Sequence, residues 1–168
     1  MNQVLAEWNG MSAEDAARAV LPCCGSEAWA AQLAGLRPFA SFAELSVASD
    51  AVWLGLPERD WMQAFDSHPR IGQGHAKAAT AKSLAWSEGE QAAANPDELA
   101  KARLAAGNAA YEARFGRIFI VCATGKSAGE MLSILEGRMT NDDATEMREA
   151  AEQQRLITQL RLRKWLSA

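Results

Sequence analysis

Two histidines and three cysteines are all the metal-binding side chains, carboxylates aside, that this 168-residue sequence offers. His68 and His75 stand seven positions apart across a proline and glycine break, which is not the spacing of a helical histidine pair, so no metal site is expected. Cys23 and Cys24 are adjacent and point in different directions on any regular backbone, while Cys122 lies in an apolar run where a buried structural thiol is the ordinary outcome. Three such cysteines make no secreted disulfide framework, which points to a reducing, cytoplasmic setting. Strand formers are few as well. Val, Ile and Thr number fifteen together against thirty-five alanines, a bias toward helix.

Positive charge is not in excess: seventeen Lys and Arg face twenty-one Asp and Glu, for a formal charge of -4, which argues against a nucleic-acid partner. The apolar stretch at 118–123 is far too short to cross a bilayer, so no membrane association is expected. Glu7 and Asp15 stand where an export signal would carry basic residues, and Leu166, Ser167 and Ala168 are not a peroxisomal address. No internal repeat or low-complexity linker divides the chain, and its length suits one domain over 1–168.

What is present is helix punctuation. Serine followed three residues later by an acid occurs at Ser12/Asp15, Ser41/Glu44, Ser87/Glu90 and Ser127/Glu130, and each pair is expected to open a helix. Ser26 precedes Trp29, Leu33 and Leu36 at helical spacing, Pro57 precedes Trp61 and Phe65, and Asn95 with Pro96 starts a helix that Gly116 stops. Asn141, Asp142 and Asp143 open a last helix to Trp165, with Leu156, Leu160 and Ile157 expected on its buried face. The fold class is therefore all-α, a single compact domain of about eight helices, with a short buried extended segment near 117–123. Trp29, Trp53, Trp61, Trp86 and Trp165 read as core or interface anchors. The alanine-rich stretch at 76–81 reads equally as a weak helix or a mobile loop.

Two stretches resist a helical reading, 67–74 and 117–125, and loops on a rigid scaffold are where sites sit. In the first, Pro69 pushes His68 out of the α region and Gly72 and Gly74 permit tight turns. A carboxylate that fixed its tautomer would make His68 an oriented acid/base, and Glu90 is the candidate. The alternative is that Glu90 only completes a capping box with Ser87 and that His68 bonds a backbone carbonyl. Gly125-Lys126-Ser127 has the look of a phosphate-loop ending, but Ile120 stands where that loop needs glycine.

Taken in order, several motifs form a known combination. They are Pro22-Cys23-Cys24-Gly25-Ser26, Arg37-Pro38-Phe39, His68-Pro69-Arg70-Ile71-Gly72 and Ser87-Glu88-Gly89-Glu90-Gln91. Asn108 and Tyr111 then precede Arg114-Phe115-Gly116, the run from Phe119 to Ser127 follows, and Ile157-Thr158 comes before Leu160-Arg161-Leu162. From about residue 20 onward the chain resembles the 2-oxo-4-hydroxy-4-carboxy-5-ureidoimidazoline (OHCU) decarboxylases of urate catabolism. The resemblance implies an all-helical, cofactor-free enzyme, commonly a homodimer, that releases (S)-allantoin and carbon dioxide from a small-molecule substrate. It implies His68 as the catalytic histidine and Glu90 as its carboxylate partner. Substrate contacts are implied at Pro69, at Ser87, Glu88, Gly89 and Gln91, at Phe119, Ile120, Val121, Cys122 and Ala123, and at Arg161. For Arg161 a solvated helix charge beside Arg163 and Lys164 is the competing reading. Ala92, Ala93 and Ala94 stand where family members often have a glycine. A thiol hydrolase using Cys23 or Cys24, and a non-catalytic helical binding module, are the rival classes.

Overall fold

The computed structural model describes residues 1–71, 86 and 98–168. Among these residues the regular structure is helical throughout, with no strand. Within the described residues lie eight α-helices: α1 (Gln3–Asn9), α2 (Ala13–Val20), α3 (Glu27–Gly35), α4 (Phe42–Leu54), α5 (Glu58–Asp66), α6 (Glu98–Phe115), α7 (Ala128–Arg138) and α8 (Asp143–Leu166), with a 3-10 turn at Leu21–Cys23. No helix among the described residues is long and apolar enough to cross a membrane.

The serine punctuation works as N-cap chemistry requires. Ser12, Ser26, Ser41 and Ser127 each accept, through Oγ, the amide N–H three residues on, which satisfies one of the donors a helix start leaves unpaired. Asp142 caps α8 in the same way, accepting from the Thr145 amide at 2.7 Å. The start at Ser87 and the Asn95-Pro96 pair lie outside the described residues, as does the alanine-rich stretch at 76–81. α1 was not expected. Asn2 caps it by accepting from Leu5 N–H, and its buried Leu5 and Trp8 are spaced one turn apart.

The chain falls into two compact units, Met1–Ala64 with Arg155–Ala168, and Phe65–Gln154. In the first, large apolar side chains of the helices fill the interior. Trp8 stacks on Phe39 and meets Trp165 edge-on, and its indole N–H donates to the Ala16 carbonyl at 2.8 Å. Trp29 is equally buried and donates to Ser49 Oγ. Arg37 donates to the carbonyls of Trp8, Met11 and Ala34, so the Arg37-Pro38-Phe39 motif ties α1 to the segment after α3.

In the second unit, Leu104, Tyr111, Phe115, Phe119, Val121, Met131 and Leu135 form the core. Gly107 is required there, because a Cβ would lie 3.1 Å from a methyl of Leu135 where α6 approaches α7. Gly116, with φ +70°, ends α6 in the left-handed conformation. Residues 117–123 then run without regular structure, and Phe119 to Ala123 are all buried, as the β-branched run predicts.

The expected buried face of α8 needs correction. Leu156 is exposed and Leu160 half-buried, whereas Ile157 is buried as expected. Glu146, Met147, Ala150, Ala151, Gln154, Thr158, Arg161, Leu162 and Trp165 are buried along this helix, so it buries the large polar groups of Glu146, Gln154 and Arg161, which hydropathy would have sent to solvent.

Candidate active site

His68 follows α5 directly, its amide N–H bonded to the Phe65 carbonyl at 3.1 Å, and its side chain is buried. Three side chains from two helices hold the stretch 68–71. Gln154 of α8 places Oε1 at 2.6 Å from His68 Nε2. Glu112 of α6 takes Arg70 Nε on both carboxylate oxygens, at 2.8 and 3.0 Å. Asn108, one turn earlier on α6, donates to the Ile71 carbonyl at 3.2 Å. Pro69 is buried beside the histidine. A helix side chain, Gln154, thus meets the ring.

The segment 117–123 is held by side chains in a similar way. Gln153 Oε1 accepts the Cys122 N–H at 2.9 Å, and Lys126 Nζ donates to the Cys122 carbonyl at 2.7 Å. Arg138 donates to the Ile120 carbonyl and pairs with Glu146, both buried. The same carboxylate accepts from Tyr111 Oη at 2.5 Å and from Asn141 Nδ2 at 3.0 Å, so this buried charge is well supplied with donors. Burial first, and the neighbouring Glu146 second, push the Tyr111 hydroxyl well above the usual phenol range, so it remains a donor at every working pH.

What the segment leaves unpaired is as informative as what it pairs. The N–H groups of Ile120, Val121 and Ala123 and the carbonyl of Val121 make no hydrogen bond to another described residue. Buried main-chain groups are rarely left so, and four of them within residues 120–123 form a ready surface for a ligand rich in amides. Between them, the Cys122 amide and carbonyl are each engaged once, by Gln153 and Lys126, and the carbonyl keeps a second lone pair. Arg117, at the start of the segment, donates from Nη1 to the Phe115 carbonyl while its buried Nε and Nη2 have no partner.

Arg161 lies in the other unit. It is fully buried, not solvated, and donates to the Pro22 carbonyl at 3.3 Å. Arg163 and Lys164 are the exposed charges there. Cys24 is buried close by, and desolvation pushes its thiol up to about 12 against weaker opposing effects from Thr158, Ser26 and Arg161. A thiol so protonated is no nucleophile near neutral pH, and Cys23 is equally buried, which removes the basis of the thiol-hydrolase reading. Ser87, Glu88, Gly89, Glu90 and Gln91 lie outside the described residues, as does His75.

Sequence reasoning missed Asn108 and Glu112 as loop anchors and Gln153 and Gln154 as supports. One signal was available for Gln154. Stepping back from Trp165 and Arg161 by seven and by three or four residues marks the inward stripe of α8 and lands on 154 and on 157 and 158.

Residues 9–163 match the family model described as OHCU decarboxylase. Over 147 residues the chain is 35% identical to the uric acid degradation bifunctional protein TTL of Arabidopsis thaliana, a match that covers 86% of this chain and 45% of that protein. The chain thus spans less than half the length of that relative. It is 28% identical over 138 residues to the 2-oxo-4-hydroxy-4-carboxy-5-ureidoimidazoline decarboxylase of Haloferax volcanii, covering 80% of this chain and 79% of that one. A crystal structure of OHCU decarboxylase in the presence of (S)-allantoin superposes with a TM-score of 0.76 at 32% identity, covering 88% of this chain and 96% of that chain. A structure of (S)-allantoin synthase shares the fold, with a TM-score of 0.72 at 16% identity over 96% of this chain and 53% of that chain. With a family match extending over nearly its whole length, the chain belongs to the OHCU decarboxylase family.

Proposed function

We propose that this protein converts 2-oxo-4-hydroxy-4-carboxy-5-ureidoimidazoline to (S)-allantoin and carbon dioxide in urate breakdown. The observation that carries the reading is His68. In the loop that the family resemblance names as catalytic, its imidazole is buried and fixed by Gln154, the arrangement that directed proton transfer needs.

The substrate supplies its own electron sink, so the reaction calls for no cofactor. The bond to the carboxylate breaks, its electron pair forms a ring C=C as the adjacent C=N pair moves onto nitrogen, and carbon dioxide leaves. That nitrogen takes a proton. The resulting enol gives up its O–H proton while the neighbouring carbon gains one on a single face, and one proton is consumed overall. His68 moves protons in this sequence, and Glu90 supplies the negative charge that supports the imidazolium. The unpaired main-chain groups of Ile120, Val121 and Ala123 match the ring and ureido amides, with Pro69 and Phe119 as apolar wall. Ser87, Glu88, Gly89 and Gln91 contact the substrate from their own segment, and Arg161 offers several fixed donors to an anionic or carbonyl group. On the same resemblance the enzyme works as a homodimer in the cytoplasm, with the whole of 1–168 as one functional domain.

Circular dichroism of allantoin formed from enzymatically generated substrate tests the proposal. Dextrorotatory-pure (S) product with the protein present, against racemic product from spontaneous decay without it, is the expected result. Identical signals in both samples would refute it.

A further inference from the structure

Among the described residues, Arg117 alone leaves buried side-chain nitrogens without a partner, and the two atoms concerned are Nε and Nη2. The residue is only 8% exposed. Nε–H and Nη2–H point the same way along one edge of a guanidinium, and that edge matches the two oxygens of a carboxylate. The rest of the group is held in place. Nη1 donates to the Phe115 carbonyl at 3.2 Å, and the guanidinium carbon lies 5.5 Å from the centre of the Phe115 ring. The edge is therefore oriented before any ligand arrives, which lowers the entropy cost of binding one.

The charge around this edge favours an anion. Arg114 stands 4.9 Å from the same Phe115 ring and Arg138 stands 4.6 Å from the ring of Phe119, so three guanidinium groups gather at the two rings. Glu146 is the one buried carboxylate among the described residues, and Arg138, Tyr111 and Asn141 already engage it. Buried donors of a charged group that find no acceptor are costly, and a bound carboxylate removes that cost. We propose that the Nε–Nη2 edge of Arg117 is a binding site for one carboxylate group, held by two parallel hydrogen bonds. Arg117 stands two residues before Phe119, so the site opens the segment whose main-chain groups at Ile120, Val121 and Ala123 are offered to a ligand. The carboxylate has two sources, a small free acid or the carboxyl group that the proposed substrate carries, and the second rests on the function proposed above.

Sodium formate, the smallest carboxylate, is the probe. Thermal unfolding is followed against formate concentration, in dilute buffer free of other carboxylates and of phosphate, for the wild type, Arg117→Met and Arg117→Lys. The wild-type midpoint should rise by about 5 to 10 °C once formate stands about a hundredfold above its dissociation constant. Arg117→Met keeps an apolar stem and loses the edge, so its midpoint should not respond. Arg117→Lys keeps the charge without the paired donors and should respond much less than the wild type, which gives a reading even if the methionine variant does not fold. A wild type indifferent to formate would overturn the proposal, as would a shift of wild-type size in either folded variant. Steady-state kinetics then separates the sources. Formate that raises KM with kcat unchanged identifies the edge with the substrate's carboxylate, whereas a KM untouched by saturating formate assigns it to a free acid. Only this kinetic arm needs turnover, so a protein inactive on the proposed substrate would defeat the functional reading while leaving the melting result standing.

Discussion

The two units of this protein spend burial on different things. In Met1–Ala64 with Arg155–Ala168, most of the main chain is helical and the interior is filled by indoles and aliphatic groups, Trp8, Trp29, Trp53 and Trp165 among them, with Arg37 tying down main-chain carbonyls near the helix ends. In Phe65–Gln154, the described stretches 67–71 and 117–123 are not helical, and long polar side chains hold them: Glu112 and Gln154 take the side chains of Arg70 and His68 and Asn108 the Ile71 carbonyl in the first, while Arg138, Gln153 and Lys126 engage main-chain groups in the second. The contrast has a physical cause. Main-chain groups can be offered to a ligand only where regular structure is given up, and something else must then hold the chain still.

Breaking each unit at its centre should expose the contrast most strongly. Glu146→Ala strips Arg138 of its buried partner, and losses of about 3 to 5 kcal/mol are typical when one member of a buried pair is removed. Trp8→Ala should cost a similar amount, about 3 to 5 kcal/mol, by emptying a packed site. Urea denaturation measures both. Activity separates them: at a temperature where both remain folded, Glu146→Ala should lose turnover because Arg138 no longer fixes the Ile120 carbonyl, while Trp8→Ala keeps its kcat. Equal activities in the two variants would dissolve the distinction.

Next in size is Glu90→Gln. Charge support for an imidazolium belongs to general acid/base catalysis, worth about 10² to 10⁴ in rate, and the substitution should remove a large part of it as a fall in kcat. If Glu90 only completes a capping box with Ser87, glutamine serves there equally and kcat will not move.

Helix starts were legible because N-cap chemistry is local: a serine and the amide three residues later need no tertiary partner, and Ser12, Ser26, Ser41 and Ser127 all behaved as their spacing predicts. The non-helical character of 67–71 and 117–123 was legible for the same reason, through Pro69 and the β-branched run before Cys122, while 72–74 lie outside the described residues. The orientation of α8 was not. Glutamine and arginine are ordinarily solvated, so a stripe containing Gln154, Thr158 and Arg161 reads as surface until its partners are known, and Leu156 was drawn inward in their place. His68 could be read as a site residue, but what holds it could not, since Gln154 lies eighty-six positions away.

Smaller effects sharpen the account of the first unit. Arg161→Lys keeps the charge but loses the planar fork, and a rise in KM of about 10-fold with a lesser change in kcat is the expected outcome for a group that binds substrate. Unchanged constants in steady-state assays would leave Arg161 a structural role, of which its bond to the Pro22 carbonyl is part.

Cys24 predicts an alkaline effect whose sign follows from its raised pKa. The unfolded thiol ionises near its ordinary 9.0 and the folded one at about 12, so the folded state keeps the extra proton between them and loses stability as pH rises through that window. Cys24→Ala should flatten this decline, seen as a smaller drop in urea midpoint between pH 9 and pH 11. The Cys23→Ala, Cys24→Ala protein should retain substantial activity, since no thiolate enters the chemistry.

The central claim is that His68 moves the proton and sets the face on which it lands. The rate and handedness of allantoin released by His68→Asn, followed by circular dichroism beside the wild type, tests it most directly. A loss of about 10² to 10⁴ in rate, with product approaching the racemic mixture of spontaneous decay, is the expected result. A folded His68→Asn protein that still releases (S)-allantoin at the wild-type rate would contradict the account.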